Sequence, residues 1–451
     1  MTDNTALLQA AGAAGRVIPV FVQSVWRNAH SWTGPHRQAF LCGCLESLDK
    51  NLRQIGSRLV IRRGDAIEEL GRLVRQSGAE AIYFNRDPDP HGRAVEERLR
   101  AFAGEWRVEA RGFKDACLHE RDEVLTAVGE PYRVFTPYAK AWNRLDKPMP
   151  SGRLRKLQTP DGMVCGPLPR LEDWRIAEPG EGSLEPGERA ARARLSAFLK
   201  DGLARYKECR ERPADRGASR LSQDLRFGLV SIREIYRRCV ERARAFAPSG
   251  RESVAVFLNE LAWREFYMQI LWHWPEVLER EFNPRYRNLR WWGSGDTLRQ
   301  WRAGETGFPV VDAAMRQLKA TGFMHNRCRM ITAMFLTKDL GVDWREGERY
   351  FMQQLTDGEI ASNNGGWQWS AGVGADAAPY FRIQNPWTQS RRHDPEGRYI
   401  KTWVPELRDV APERFFAPPA DGGSIARDYP APIADHAAAR EKTLAMFRAV
   451  R

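Results

Sequence analysis

The run Val17–Val22 (VIPVFV) is a continuous apolar stretch of the kind carried by a strand buried on both faces. Working outward, Arg37–Ile55 places Phe40, Leu41, Cys44, Leu45, Leu48 and Leu52 at helical spacing, and Gly56 closes that helix. Arg58–Ile61 predicts a second strand. Asp65, with Glu68 three residues on, is an N-capping pattern for a helix that runs to about Gln76. Ala81–Phe84 predicts a third strand, followed by the loop Asp87-Pro88-Asp89-Pro90, a helix near Val95–Phe102 and a strand near Arg107–Ala110. Strands alternating with helices imply an α/β domain built on a parallel, doubly wound sheet. The chain opens on a helix, Thr5–Ala11, where such a fold opens on a strand. The expectation is a sheet lacking its first strand, with two strands left with unpaired edges, or a true start upstream of Met1.

Beyond this alternation the composition changes. Lys147–Gly187 holds seven Pro and six Gly with little periodicity, which marks a linker. Asn259–Trp272, Pro309–Leu318, Arg327–Leu340 and Trp344–Leu355 then read as helices, and Asp435–Val450 as a last amphipathic one. The expected division is an α/β domain over 1–125, a connection over 126–190 and an all-α domain over 191–451.

The chain has 451 residues, 42% hydrophobic and 28% charged, a balance that excludes wholesale disorder. No apolar run approaches the ~18 residues of a membrane helix. Met1–Thr5 lacks the basic-then-apolar layout of a secretory signal. Cys42, Cys44, Cys117, Cys165, Cys209, Cys239 and Cys328 form no CxxC pair, which disfavours a disulfide framework or zinc site and implies a reducing cytoplasm. Lys and Arg exceed Asp and Glu by 70 to 58, a net charge of +12. That field suits a polyanion, with Arg making bidentate phosphate contacts, or else reflects the Arg usage of a GC-rich genome. Eleven of the 16 Trp lie from Trp263 onward, which suits either a large core or a bound aromatic ligand or stacked bases.

No HExxH, GxSxG or Walker A pattern is present, and no metal site is expected. Gly372–Ala377 matches GxGxxA, but no strand precedes it. Asp357–Trp369 (DGEIASNNGGWQW) is a polar, turn-rich segment between apolar helices, read as a site for a polar heterocycle or as a surface turn. Ser219-Arg220-Leu221-Ser222 offers hydroxyls and a guanidinium for a diphosphate, or a plain N-cap. Glu260, Trp263 and Arg264 share one helical face, suited to a nucleobase or to an ordinary ion pair. Met324–Met330 (MHNRCRM) carries the same ambiguity.

Taken together, GASRLS (Gly217–Ser222), NELAWREFY (Asn259–Tyr267), TGFPVVDAAMRQL (Thr306–Leu318), MHNRCRMI (Met324–Ile331), DWREGERYFMQQLTDGE (Asp343–Glu359), and NNGGWQW through DAAPYFRIQNP resemble the cryptochrome/photolyase family. The resemblance covers nearly the whole chain and implies an N-terminal α/β antenna domain and a C-terminal helical domain holding folded-over FAD. Within the family, Asn363 at the position facing flavin N5, and Asn326, Arg327 and Met330 without a second His, are the pattern of class I cyclobutane pyrimidine dimer photolyases.

By that resemblance the flavin contacts are Tyr206, Ala218, Ser219, Arg220, Leu221, Ser222, Phe257, Arg329, Asp357, Gly358, Glu359 and Asn363. DNA and lesion contacts are Glu260, Trp263, Arg264, Tyr267, Asn326, Arg327, Met330, Trp369 and Gln389. Glu260 and Asn363 are catalytic candidates, and Trp291, Trp344 and Trp367 match the chain that passes electrons to the flavin. The implied enzyme is a cytoplasmic, monomeric carbon–carbon lyase acting on UV-damaged DNA, with folate or deazaflavin as a second antenna chromophore. A cryptochrome-like photoreceptor without repair activity is the alternative, and a flavin-free nucleic-acid-binding protein a third. The chain departs from the family at its start, where a strand and an Arg-rich turn precede the segment matching Asp3–Leu7.

Overall fold

The computed structural model describes residues 1–24, 33–177, 180, 182–215 and 217–450. Its first part runs α1 (Thr5–Ala13), β1 (Val20–Gln23), α2 (Pro35–Arg53), β2 (Val60–Arg63), α3 (Ala66–Ser77), β3 (Ala81–Asn85), α4 (Pro90–Trp106) and β4 (Glu109–Phe113). β1 pairs in parallel with β2, Val20 opposite Val60; β3 pairs in parallel with β4, Ala81 opposite Glu109. Parallel neighbours need a crossover, and α2 and α4 supply it.

The parallel α/β arrangement read from the alternation is present, and among the described residues its strands form two two-stranded sheets with no strand joining the pairs. The boundaries also move for identifiable reasons. Pro19 accepts a hydrogen bond from Val60 N (2.8 Å) but has no N–H to give, so the ladder starts at Val20. Arg107, expected in a strand, instead caps α4 in the left-handed region (φ 54°), and β4 begins after it. α3 opens as expected, with Asp65 Oδ1 accepting from Ile67 N (3.0 Å) and Glu68 N (3.2 Å).

Within the segment expected to connect the domains, α5 (Phe135–Arg144) buries Phe135, Tyr138 and Trp142 in the core of the helical half. The helices that build the site follow: α6 (Ser222–Arg226), α7 (Pro248–His273), α8 (Gly295–Ala303), α9 (Pro309–Thr321), α10 (Asn326–Met334), α11 (Trp344–Gln354) and α12 (Ile360–Ala371), with α13 (His436–Arg448) closing the chain. The helix read over Arg327–Leu340 is α10 followed by a π turn, Phe335–Asp339. Asp357–Trp369, read as turn-rich, is helical from Ile360 onward, and Gly372 is the left-handed residue that ends that helix. Gly372 is thus a helix stop, and no strand leads into it.

Two cores carry the helical half, one around Trp301, Phe308 and Trp344 and the other around Phe257, Phe266 and Trp142. A smaller cluster of Leu41, Leu45, Leu52 and Ile61 lies under β1 and β2. All seven cysteines are free thiols. Among the described residues no helix is long and apolar enough to cross a membrane, and no side-chain group is arranged to hold a metal.

Candidate functional site

A cavity of about 430 Å³ opens between α7, α10 and α12, within the usual range for ligand pockets. Helical periodicity explains its walls. Phe257, Glu260, Leu261, Arg264 and Tyr267 recur every three or four residues on one face of α7. On α12, Ser362, Asn363, Gly366, Trp367 and Ser370 do the same. Asn326, Arg329 and Met330 come from α10, Phe351 from α11, and Tyr206, Ser219, Leu221 and Ser222 from the turns before α7. His325 sets the start of α10: its Nδ1 accepts from Arg327 N (3.2 Å), and burial lowers its pKa to about 4, so it stays neutral.

Three arginine–carboxylate pairs line this space. Arg210 Nη1 donates to Glu260 Oε1 (2.7 Å), Arg264 Nη2 to Glu359 Oε1 (2.7 Å), and Arg329 Nη2 to both Asp357 oxygens (2.8 and 3.1 Å). Ser362 Oγ adds a 2.7 Å hydrogen bond to Glu359 Oε2. Burial raises the Glu260 carboxyl above its ordinary range, with Arg210 pulling the other way. The wall is therefore close to neutral, and its guanidiniums are committed. The hydroxyls of Ser219 and Ser222, the Asn326 amide and the buried Trp367 Nε1 have no hydrogen-bond partner among the described residues. Such uncommitted donors suit a ligand rich in acceptor atoms, as the phosphates and ring of FAD are.

Asn363 has a defined orientation. Its Nδ2 donates to the Glu348 carbonyl (3.0 Å) and to Glu348 Oε1 (3.2 Å). Because a carbonyl can only accept, the amide nitrogen must point that way, leaving Oδ1 available as an acceptor. Burial lifts Glu348 to about 7, with the Asn363 hydrogen bond opposing. Trp263 also lines the cavity, with one face covered by Phe135 (centroids 3.6 Å, planes 11° apart). Trp369 of α12 lines the cavity as well.

Gly358 and Glu359 complete the cavity wall, whereas several expected residues lie off it. Ala218 is absent from it, and Arg220 turns its guanidinium over the Phe323 ring (4.3 Å) from a left-handed backbone (φ 51°). Arg327 is ion-paired with Glu211, and Gln389 lies apart on the helix Pro386–His393. Arg264, expected at DNA, points inward to Glu359 and to the Ala116 carbonyl. Of the three expected tryptophans, Trp367 meets the cavity. Trp344 is fully buried on α11, with Nε1 donating to Glu281 Oε1 (3.2 Å). Trp291 is half-buried against the same core.

Arg210, Ser362, Glu348 and Trp301 were missed. Arg210 follows Tyr206 by one helical turn, and Ser362 and Asn363 follow Glu359 at i+3 and i+4. Reading 360–371 as a helix would have found Ser362. Trp301, on α8, meets the Trp367 ring edge-on (6.0 Å) and has no local signal.

Residues 257–449 match the family model described as the FAD binding domain of DNA photolyase, and residues 1–154 the one described as DNA photolyase. Across its whole length the chain is 38% identical to the deoxyribodipyrimidine photo-lyase of a Synechococcus species, 95% of which it covers. It is similar to the crystal structure of a bacterial class III photolyase from Agrobacterium tumefaciens, with a TM-score of 0.91 and 35% identity over 100% of this chain and 95% of that one. It is also similar to the Synechocystis sp. PCC6803 cryptochrome, with a TM-score of 0.90 and 27% identity over 98% and 96% of the two chains.

Proposed function

We propose that this chain, which belongs to the DNA photolyase family and has FAD as its cofactor, is the light-driven lyase that repairs cyclobutane pyrimidine dimers in UV-damaged DNA. The observation that carries this reading is the cavity itself. Its lining combines paired arginines and carboxylates and free donors with Glu260 and Trp263 of α7, Asn326 and Met330 of α10 and Trp369 of α12. Bound and reduced, FAD supplies the photoexcited electron that splits the dimer and is returned afterwards.

The protein's own residues do the rest. A net charge of +12 attracts the phosphate backbone without regard to sequence. A dimer is cheap to extrude because it already stacks and pairs badly. Trp369 and Trp263, both in the cavity lining, provide stacking surfaces for it. Glu260, held by Arg210, sets its ion pair beside the pyrimidine where negative charge develops, and burial shifts its carboxyl toward taking up a proton. Asn363 presents an acceptor of fixed direction at the flavin ring. Trp291, Trp344 and Trp367 serve to restore the reduced cofactor.

We assign residues 1–125 to the antenna domain, 126–190 to the connection and 191–451 to the FAD- and DNA-binding domain, in a monomer working in the cytoplasm. Likeness to a cryptochrome favours a second reading, a photoreceptor that does not repair. Purified, reduced protein mixed with a dimer-containing oligonucleotide decides between them. Repair predicts dimer loss under blue light and none in the dark. Intact dimers after illumination, with a photoactive flavin, would support the photoreceptor.

A further inference from the structure

His36 and Arg37 sit in the first turn of α2, where the Arg37 cation lies at the unfavourable end of its own helix dipole. Both side chains reach instead to the C-terminal ends of helices in the other half of the molecule. His36 Nε2 lies 2.9 Å from the Lys319 carbonyl at the end of α9. Arg37 Nη2 donates to the Met352 carbonyl (2.7 Å) and the Leu355 carbonyl (3.2 Å), and Nε to Leu355 (3.3 Å), at the end of α11. The Leu355 carbonyl also accepts from Gly358 N (3.4 Å) in the turn that follows, and the Arg37 guanidinium bridges it to the Met352 carbonyl.

Two residues beyond Leu355 begins the turn Asp357-Gly358-Glu359, all three of which line the cavity. Gly358 is buried, and a Cβ built on it would lie 1.8 Å from Arg37 Nη2 and 2.7 Å from its Cζ. The guanidinium thus occupies the place of a side chain at Gly358. Its neighbours in the turn are each tied to a different helix, Asp357 to Arg329 on α10 and Glu359 to Arg264 on α7. Gly34, the N-cap of α2, comes equally close: a Cβ there would lie 1.5 Å from the Gln353 carbonyl oxygen.

We propose that Arg37 is a positioning residue for the flavin site: from the α/β half it fixes, from behind, the turn that walls the cavity, so FAD retention depends on how α2 is docked. This rests on the flavin reading above. Arg37 touches no cavity space itself and acts through the backbone of residues 352–358.

The test uses the full-length holoprotein as parent, Arg37→Ala, Arg37→Lys, Gly358→Ala and the double variant Arg37→Ala/Gly358→Ala. The readouts are FAD per chain, the rate of flavin release followed by free-flavin fluorescence, and the visible circular dichroism of the bound flavin. Losing charge-assisted hydrogen bonds to two carbonyls should speed release about tenfold in Arg37→Ala. Arg37→Lys should recover little, because an ammonium lacks the planar fork. Gly358→Ala should speed release about tenfold or more in the parent, through the clash, but change it less than about twofold once Arg37 is Ala. An equal factor for Gly358→Ala in both backgrounds, or parent-like release in Arg37→Ala, would overturn the proposal. Should Gly358→Ala fail to fold, Arg37→Ala alone decides: altered flavin dichroism at an unchanged thermal midpoint supports positioning, and unaltered dichroism refutes it. A parent that holds no FAD would sink the flavin reading instead.

Discussion

In the α/β half, Val20, Phe21, Val22 and every residue of β3 remain half-buried; in α9, by contrast, Val310 through Met315 expose at most 1% of their surface. Among the described residues each strand has one strand partner, while Val310–Met315 of α9 are enclosed by the core around Trp301 and Phe308. The same contrast appears at the site. Every residue lining the cavity lies at or beyond Tyr206. The first part of the chain acts from behind that wall, through Arg37 on α11, the Ala116 carbonyl on Arg264 and Phe135 on Trp263. Precise side-chain placement is thus concentrated where packing is continuous, and the first part of the chain contributes braces from helix α2, from the segment after β4 and from α5.

If the helical half holds all the redox wiring, Trp367→Phe should block photoreduction of oxidised cofactor and spare repair by chemically pre-reduced protein. Phe preserves packing against Phe351 and Trp301 but is much harder to oxidise. Measuring both activities in one preparation checks the separation; matching losses would show a structural role instead. Next in size is a test of packing itself. Trp301→Ala, at a fully buried site, should cost about 3–5 kcal/mol of unfolding free energy, and Ile82→Ala in β3 about 1 kcal/mol. Urea unfolding of both variants measures the gap, and equal costs would abolish the contrast.

A pH effect sharpens the picture. Burial raises the Glu348 pKa from 4.5 to about 7. Between those values the folded chain keeps a proton that the unfolded chain releases, so stability falls as pH rises through that window. The expected loss is about 1–3 kcal/mol, complete above pH 7, and Glu348→Gln should flatten it while leaving an acceptor for Asn363. Unfolding measured at several pH values gives the slope, and an identical slope in the variant would refute the assignment. Smallest is lesion recognition. Trp263→Ala should weaken binding to damaged DNA by about 1–3 kcal/mol. Phe135→Ala, which removes the ring stacked on Trp263 along with its edge contact to Phe266, should weaken it by about 1 kcal/mol. Titrations with damaged and intact duplexes report both, and unchanged discrimination in Trp263→Ala would argue against stacking.

What could be read in the chain divides along the same line. The start of α7 lies eleven residues before the Asn259 read from periodicity, but the alternation of the first hundred residues, the Asp65 cap and the second half of that helix follow from short-range patterns. The division of the sheet into two pairs does not, because strand neighbours are set by contacts far apart in the chain. Helix α12 was hidden by its composition: Asn363, Asn364, Gly365 and Gly366 are poor helix formers. Gly365 is there because a Cβ would lie 2.1 Å from the Tyr267 ring, a packing demand from another helix that outweighs propensity. Most of the cavity lining was legible only through family resemblance. Its ion pairs were not, since Arg210 and Glu260, or Arg264 and Glu359, meet only after folding.

The account rests on FAD in this cavity as the photoactive electron donor for dimer repair. Its most direct test is the action spectrum of repair by pre-reduced protein saturated with dimer-containing DNA, counting dimers lost per photon at each wavelength. The predicted result is repair that follows the absorption of the bound, reduced flavin and vanishes in the dark. Repair that proceeds without light, or none at wavelengths the reduced flavin absorbs, would contradict it.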